Sequence, residues 1–199
     1  LSVQVVTSNV GGLASRPGSP VGRPPRRLPL LPPASGGRPV LLSCWALKGG
    51  VGTTVVTAAL GLTLNRAGHD VLLVDLAGDL PATLGLPEPD GPGLTEWLSA
   101  GPDVPADGLG RIELSAAAGL AVLPRGREPL APTARVEALV AALDPRRSVV
   151  VDCGVLDRNE PGRTVVAARS THSLLVTRAC YLALRRAADP VCGGLPARR

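Results

Sequence analysis

Apolar residues in this chain gather in five short and nearly unbroken runs. The runs are VLLSCWA (40–46), VLLVDL (71–76), GLAVLP (119–124), SVVVDC (148–153) and HSLLVTR (172–178). Strands that are buried on both faces of a parallel sheet have this pattern, whereas strands with one face in solvent alternate apolar and polar residues. We therefore predict five strands of a mainly parallel sheet.

Helical patterns lie between and after these runs. They cover residues 53–67, 93–100, 132–143, 162–169 and 179–188. Gly68 and Gly101 follow two of the helices, at the position where a glycine commonly ends a helix. Strands that alternate with helices predict an α/β fold with a doubly wound sheet.

The chain divides into three predicted segments. Residues 1–38 contain seven prolines and five arginines. They offer little apolar surface to offset the loss of chain entropy, which predicts a disordered arm. Within this arm, LSVQVV (1–6) is compatible with one short strand. Residues 39–190 form the predicted folded domain, and residues 191–199 form a tail.

Charge is concentrated near the start of the chain. Residues 1–69 carry a net charge of +7 and residues 70–199 carry −2, so the overall +5 belongs to the first third. A basic arm can bind DNA phosphates or anionic lipid. A solvated arm is the simpler interpretation, because no aromatic residues are interleaved for base stacking.

Other features restrict the class of protein. No apolar run approaches the about 20 residues of a membrane-spanning helix, so we expect no transmembrane segment. The four cysteines, at positions 44, 153, 180 and 192, form no CxxC pair. We expect them to be small buried side chains in a reducing cytoplasm. Trp45 and Trp97 are interpreted as packing residues, although Trp45 adjoins the loop described next.

A glycine-rich loop, KGGVGTT, directly follows the first predicted strand. Glycines let the backbone turn so that successive N–H groups point at one anion, and the start of the following helix favours the same anion. A glycine-rich turn without a ligand is the alternative. The candidate phosphate-binding residues are Lys48, Gly49, Gly50, Val51, Gly52, Thr53 and Thr54.

Two aspartates end predicted strands at the same edge of the sheet as this loop. Asp75 ends the second strand and Asp152 ends the fourth. Ligands of doubly wound sheets bind at the carboxyl ends of the strands. Carboxylate and hydroxyl oxygens suit Mg²⁺, bound directly or through water. We therefore predict a Mg²⁺ site formed by Thr54, Asp75 and Asp152.

These motifs carry a family resemblance. KGGVGTT, followed by RAGHDVLLVDLAGDLPATLGL (66–86) and SVVVDCG (148–154), resembles the deviant Walker A ATPases of the MinD/ParA/CpaE type over residues 40–188. The resemblance implies a P-loop NTPase-like fold, ATP and Mg²⁺ as cofactors, and a nucleotide-dependent homodimer. It also implies that Lys48 is the signature lysine, which reaches across the dimer to the partner's phosphates and is the candidate catalytic residue.

The same resemblance implies a role in placing the division site or in partitioning chromosomes or plasmids. Its expected partners belong to the division or partition machinery and would associate the cytoplasmic protein with the nucleoid or the membrane surface. Later strands complete the sheet in the family, whereas this chain ends soon after the run at 172–178. We therefore expect a sheet that is incomplete at the C-terminus, as in a fragment or a truncated product.

Two departures from the family pattern bear on catalysis. Thr53 stands where the loop normally has a second lysine, and Ala77 stands where the family often has an aspartate that orients the attacking water. Loss of one transition-state donor typically costs about 100- to 1000-fold in rate. Asp79 lies two positions late, and a role as a helix-cap or loop carboxylate is the favoured interpretation. These departures predict a nucleotide-dependent switch that is at most a weak ATPase.

Two other functions stay open at this point. One is a pseudo-ATPase scaffold that binds protein partners without a nucleotide. The other is a non-specific DNA-binding module that uses the basic arm together with Arg178, Arg185 and Arg186, although a solvated helix face is the simpler interpretation of these three arginines.

Overall fold

The computed structural model describes residues 4–7, 39–100, 108–130, 133–157 and 160–188. Its strands are β1 (Gln4–Thr7), β2 (Leu41–Ala46), β3 (Val71–Asp75), β4 (Leu114–Ala117), β5 (Leu120–Leu123), β6 (Ser148–Val155) and β7 (His172–Thr177). Its helices are α1 (Thr53–Arg66), α2 (Leu80–Thr83), α3 (Leu94–Ser99), α4 (Gly108–Arg111), α5 (Thr133–Ala142), α6 (Pro161–Arg169) and α7 (Tyr181–Ala188).

The strands form one sheet in the order β1-β7-β2-β6-β3-β5-β4. The five inner strands run parallel, from β7 to β5. The edge strands β1 and β4 pair antiparallel with β7 and β5. This architecture confirms the predicted α/β fold with a doubly wound and mainly parallel sheet.

All five predicted strands and all five predicted helices are present, with small shifts at their ends. The predictions missed β4, α2 and α4, which are four-residue elements too short to show a periodicity. Strand β1 lies within the predicted arm and joins the sheet beside β7. The rest of the arm, Gly101 and the tail lie outside the described residues, so their predictions stay untested.

Apolar side chains fill both faces of the sheet. Val71 and Leu73 of β3 belong to one hydrophobic cluster, whereas Leu72 and Val74 belong to the other. Helix α1 packs on the first face, and α3, α5 and α6 contribute to the second. Because each face is covered, every position of β3 is buried, which explains its unbroken apolar sequence.

Helix α1, which follows the glycine-rich loop, packs closely against the sheet at Gly61. A Cβ atom at this position would collide with the side chain of Leu73, which is fully buried. The missing side chain therefore sets the distance between α1 and β3, and with it the position of the loop at the start of the helix.

We expect Gly61→Val to lower the free energy of unfolding by about 1–3 kcal/mol, because it overpacks the contact with Leu73. Ala59→Val, at an exposed position of the same helix, is the control and should change it by less than about 1 kcal/mol. Urea denaturation of both variants measures the difference. Equal stability of the two variants would contradict the close approach.

A glutamate fastens α3 to the segment after β5. The carboxylate of Glu96 accepts hydrogen bonds from the backbone N–H groups of Gly93 (2.8 Å), Arg127 (2.7 Å) and Glu128 (3.2 Å). Burial raises the pKa of Glu96, but these N–H donors outweigh burial and lower the pKa from 4.5 to about 2. The ionised carboxylate is therefore the form that holds the two segments together.

Glu96→Gln should cost about 1–2 kcal/mol of stability at neutral pH, because an amide offers one acceptor where the carboxylate offers two. The pKa in the folded state lies below the ordinary value, so the stabilisation is complete above pH 4.5 and disappears as the pH falls toward 2. The difference between wild type and variant should shrink over this range in acid denaturation experiments. The exposed Glu137→Gln is the control and should show little difference at any pH.

Candidate functional site

The predicted phosphate loop lies between β2 and α1 at the carboxyl edge of the sheet. Gly50 and Gly52 have φ angles of +73° and +98°, a left-handed conformation that other residues adopt only with strain. Gly52 is the N-cap residue of α1, so no side chain caps the first turn of the helix. The first backbone N–H groups of this 14-residue helix are therefore not occupied by a side-chain cap.

An open cleft of about 670 Å³ lies in front of this loop. A Cβ atom at Gly49, Gly50 or Gly52 would meet nothing within 4 Å, so the space beside the backbone is free. This volume falls in the range of typical small-molecule sites. Apart from Val51, which is buried in the core, all the predicted loop residues line the cleft, namely Lys48, Gly49, Gly50, Gly52, Thr53 and Thr54.

Asp152 of β6 lies near this loop, and one oxygen of its buried carboxylate has no hydrogen-bond partner among the described residues. Its side chain is fully buried, and its Oδ1 atom accepts a hydrogen bond of 2.9 Å from the Gly154 N–H. Its Oδ2 atom has no hydrogen-bond partner among the described residues. Buried oxygens are normally satisfied, so an unpaired one indicates a missing donor or cation.

Burial raises the pKa of Asp152 to about 6, and the negative charge of Asp75 acts in the same direction. The Thr54 hydroxyl and the Arg163 guanidinium oppose this shift, because both favour the ionised carboxylate. The structure thus brings Thr54 and Asp152 together, and their role in binding Mg²⁺ stays a prediction.

Asp75 lies beside Asp152 in the sheet but has a different environment. Its Oδ1 atom accepts hydrogen bonds from the N–H groups of Ala77 (2.9 Å) and Gly78 (2.7 Å), and its Oδ2 atom accepts one from Leu80 (3.0 Å). Burial raises its pKa in spite of these donors. Asp75 therefore holds the turn after β3, and its role as a metal ligand stays a prediction.

The residues present fit a Mg²⁺ ion that is bound together with a phosphate group. In the part of the chain that the structure describes, no three His, Cys, Asp or Glu side chains gather as metal ligands. Mg²⁺ usually keeps several waters and takes one or two carboxylates plus substrate phosphates, so it does not require such a cluster. Thr54 and the unpaired oxygen of Asp152 could supply the protein ligands that this arrangement needs.

Sequence reasoning missed one charged member of the cleft. Arg163, on the first turn of α6, lines the cleft beside Gly154. Nothing in the sequence distinguishes it from the other arginines, because only the fold brings the start of α6 to this edge. Asp79 also lines the cleft, at the N-cap position of α2, and its side chain makes no capping hydrogen bond.

Both tryptophans and two of the cysteines are buried. Trp45 is buried and its Nε1 donates a hydrogen bond of 2.8 Å to Ser173 Oγ, whereas Trp97 packs under the guanidinium of Arg135 at 5.5 Å. The packing interpretation of both tryptophans is confirmed. Cys44 and Cys153 are buried thiols, Cys180 is half-buried, and position 192 lies outside the described residues.

The three arginines of the predicted basic patch differ in their contacts. All three are exposed, but Arg186 Nη1 also donates a hydrogen bond of 2.8 Å to the carbonyl of Leu47, the residue directly before Lys48. Arg186 thus fastens α7 to the start of the loop. Within the described ranges, none of the helices combines the length and the apolar character needed to cross a membrane.

The two aspartates should respond oppositely to removal of their charge. Without ligands, Asp152→Asn should raise the free energy of unfolding by about 1–3 kcal/mol at pH 7.5, because it removes a buried and incompletely paired charge. Asp75→Asn should lower it by a similar amount, because an amide nitrogen would face backbone N–H donors. Thermal denaturation in the presence of a chelator measures both. A loss of stability in Asp152→Asn would contradict the unpaired environment of Oδ2.

Comparison with known proteins gives a matching family and several structures with a similar fold. Residues 40–150 match the family model described as "Cellulose biosynthesis protein BcsQ". The uncharacterized protein Rv1708 of Mycobacterium tuberculosis H37Rv is 45% identical over 69 residues, which are 33% of this chain and 22% of that protein. The match thus spans about a fifth of the length of this relative.

Three solved structures share the fold. The kinase domain of the Escherichia coli tyrosine kinase ETK aligns with a TM-score of 0.57 and 21% identity, over 74% of this chain and 61% of that one. The ParA family ATPase of Chlorobium tepidum TLS aligns with a TM-score of 0.52 and 19% identity, over 64% and 55%. The MinC:MinD cell division complex of Aquifex aeolicus aligns with a TM-score of 0.51 and 20% identity, over 62% and 51%.

The family match covers more than half of the chain, including the loop, the turn after β3 and the beginning of β6. The chain therefore belongs to the family of the cellulose biosynthesis protein BcsQ and is MinD/ParA-like.

Proposed function

We propose that this chain binds ATP together with Mg²⁺ and acts as a nucleotide-dependent switch with slow or absent hydrolysis. The observation that carries the proposal is the buried Oδ2 atom of Asp152, which lacks a partner among the described residues beside an open glycine loop. A cation is the simplest partner for this oxygen, and a phosphate bound by the loop would complete the coordination of that cation.

The backbone of the loop would bind the phosphates. Its left-handed glycines and the first turn of α1, which no side chain caps, would offer backbone N–H groups to a phosphate. Thr54 and Asp152 would hold Mg²⁺, which would neutralise phosphate charge, and Asp75 would keep the adjoining turn in place. Binding thus relies on main-chain groups that the substitution at Thr53 leaves intact.

Hydrolysis has lost two of its usual side chains. Thr53 is buried and uncharged, and Ala77 has no group that could orient a water molecule. Phosphoryl transfer is accelerated mainly by positioned charges, so their absence slows the reaction more than it weakens binding. A slow reaction suits a switch whose state is set by partners rather than by its own turnover.

The similarity to ParA and MinD proteins supports a role in division-site placement or in chromosome or plasmid partitioning. The name of the matching family favours a second candidate, a partner in an assembly that makes cellulose or a related polysaccharide. A scaffold that binds no nucleotide is the competing function. Absence of any heat signal with ATP, ADP or GTP in the presence of Mg²⁺ would favour this scaffold.

Lys48 lines the cleft and, by the resemblance, would contact phosphates across a dimer. Wild type should bind ATP/Mg²⁺ weakly but measurably in calorimetry and should dimerise with it in sedimentation experiments. Lys48→Ala should reduce the nucleotide-dependent dimer at least about tenfold, as expected for loss of a charge-assisted hydrogen bond. Arg66→Ala, an exposed cation at the far end of α1, is the matched control and should behave like wild type. Equal dimerisation of both variants would contradict the role of Lys48.

A further inference from the structure

Arg163 is a cation that lines the cleft and has no assigned role in the proposed nucleotide binding. Its side chain is only 12% exposed, although it belongs to the first turn of α6 and lines the same cleft as Lys48 and Thr53. Among the described residues that line this cleft, Lys48 and Arg163 are the two with a positive charge. Lys48 lies at the beginning of the loop, whereas Arg163 comes from α6.

The guanidinium lies close to the carboxyl end of β6. Its Nη1 atom donates a hydrogen bond of 3.3 Å to the Val155 carbonyl and lies 3.1 Å from the position that a Cβ atom of Gly154 would take. Gly154 has a φ angle of +60° and no side chain, which leaves room for the guanidinium. A larger residue at this position would displace Arg163 from the cleft wall.

Glu160 orients this side chain. Its Oε2 atom lies 2.6 Å from Arg163 Nη2, and its other oxygen lies 3.7 Å from Arg125 Nη2. The Nε atom of Arg163 is buried without a hydrogen-bond partner in the described part of the chain. A guanidinium has five N–H donors, and the contacts found here leave some of them unused. Arg163 is therefore held in place but has capacity for another acceptor.

Its charge already acts on the metal side of the site, because it favours the ionised form of Asp152. A negatively charged group in the cleft would experience the same field. The loop itself has no cation at position 53, where Thr53 is buried and neutral. The charge that the loop lacks is thus available from the first turn of α6.

We propose that Arg163 contacts the terminal phosphates of the bound nucleotide and replaces the cation that Thr53 does not supply. This inference rests on the proposed nucleotide binding and adds a residue from outside the loop to it. It explains why binding can persist in a loop without its second lysine. It also predicts that Arg163 and a lysine restored at position 53 substitute for each other.

The test is a double-mutant cycle on ATP/Mg²⁺ affinity, measured by calorimetry with the full chain. Arg163→Gln should weaken binding about 10- to 100-fold in the wild-type background, as expected for loss of a charge-assisted contact. In the Thr53→Lys background the same change should weaken it less than about threefold, because the new lysine supplies the charge. AMP, which lacks the outer phosphates, should show no difference between wild type and Arg163→Gln.

Three further variants distinguish the loss of a nucleotide contact from the loss of folding. Arg163→Lys retains the charge and should recover most of the affinity lost in Arg163→Gln. Arg169→Gln, on the exposed last turn of the same helix, should bind ATP like wild type. Glu160→Gln should weaken binding less than Arg163→Gln does, since it removes the orienting carboxylate but leaves the charge of Arg163. Melting temperatures without nucleotide identify any variant that is merely unfolded, and the Lys variant then decides the result.

The outcomes separate this inference from the function on which it rests. If wild type binds ATP/Mg²⁺ and Arg163→Gln binds it equally well, Arg163 is a structural residue and the inference is wrong, while the proposed function stands. The inference is also wrong if Arg163→Gln weakens binding equally in both backgrounds. If neither wild type nor Thr53→Lys binds any nucleotide, the proposed function and this inference are overturned together.

Discussion

The parallel pairing of β2 with β6 is the interaction on which the candidate site depends. It aligns Cys44 with Asp152 and places the beginning of the glycine-rich loop beside the end of β6. The register shifts after this pair, with Cys153 as the extra residue, so that Trp45 pairs with Gly154. A bulge of this kind redirects the chain at the end of a strand. Here the bulge places Gly154, which has no side chain, where the loop, the turn after β3 and the start of α6 meet.

Three carboxylates show how the fold determines the cost of a buried charge. Glu96 and Asp75 each accept several backbone hydrogen bonds, but only for Glu96 do these outweigh burial. Asp152 accepts one such bond and keeps an unpaired oxygen. A buried acceptor without a donor destabilises the fold unless a ligand compensates. The least satisfied of the three carboxylates lies next to Thr54 and Gly154, which line the candidate cleft, and the better satisfied ones hold loops in place.

In the proposed function, nucleotide binding and hydrolysis depend on different groups. Main-chain N–H groups of the loop do not depend on side chains, so a substitution within the loop can remove a charge without destroying the anion site. Phosphoryl transfer needs charges at particular positions, and its rate is sensitive to each of them. A chain with Thr53 and Ala77 in this fold is consistent with a protein that responds to a nucleotide and turns it over slowly. Arg163 would supply a charge from α6, and this charge would support binding without a lysine in the loop.

The local sequence was sufficient for the main elements of the fold and for the candidate loop. Unbroken apolar runs report strands covered on both faces, and the pattern correctly placed Asp75 at the end of β3, whereas β6 continues for three residues beyond Asp152. The sequence was insufficient for β4, for the inclusion of β1 in the sheet and for the different environments of the two aspartates. Those features depend on which strands become neighbours and on where backbone N–H groups point.

Arg163 illustrates the same limit most clearly. It is one of 20 arginines in the sequence, and only the pairing of β6 with β2, the glycine at position 154 and the direction of α6 bring it to the cleft. Periodicity and motif spacing are local properties, so they determine which segments form strands, helices and a phosphate loop. Charge placement across the cleft is a long-range property, and only the packed tertiary structure decides it.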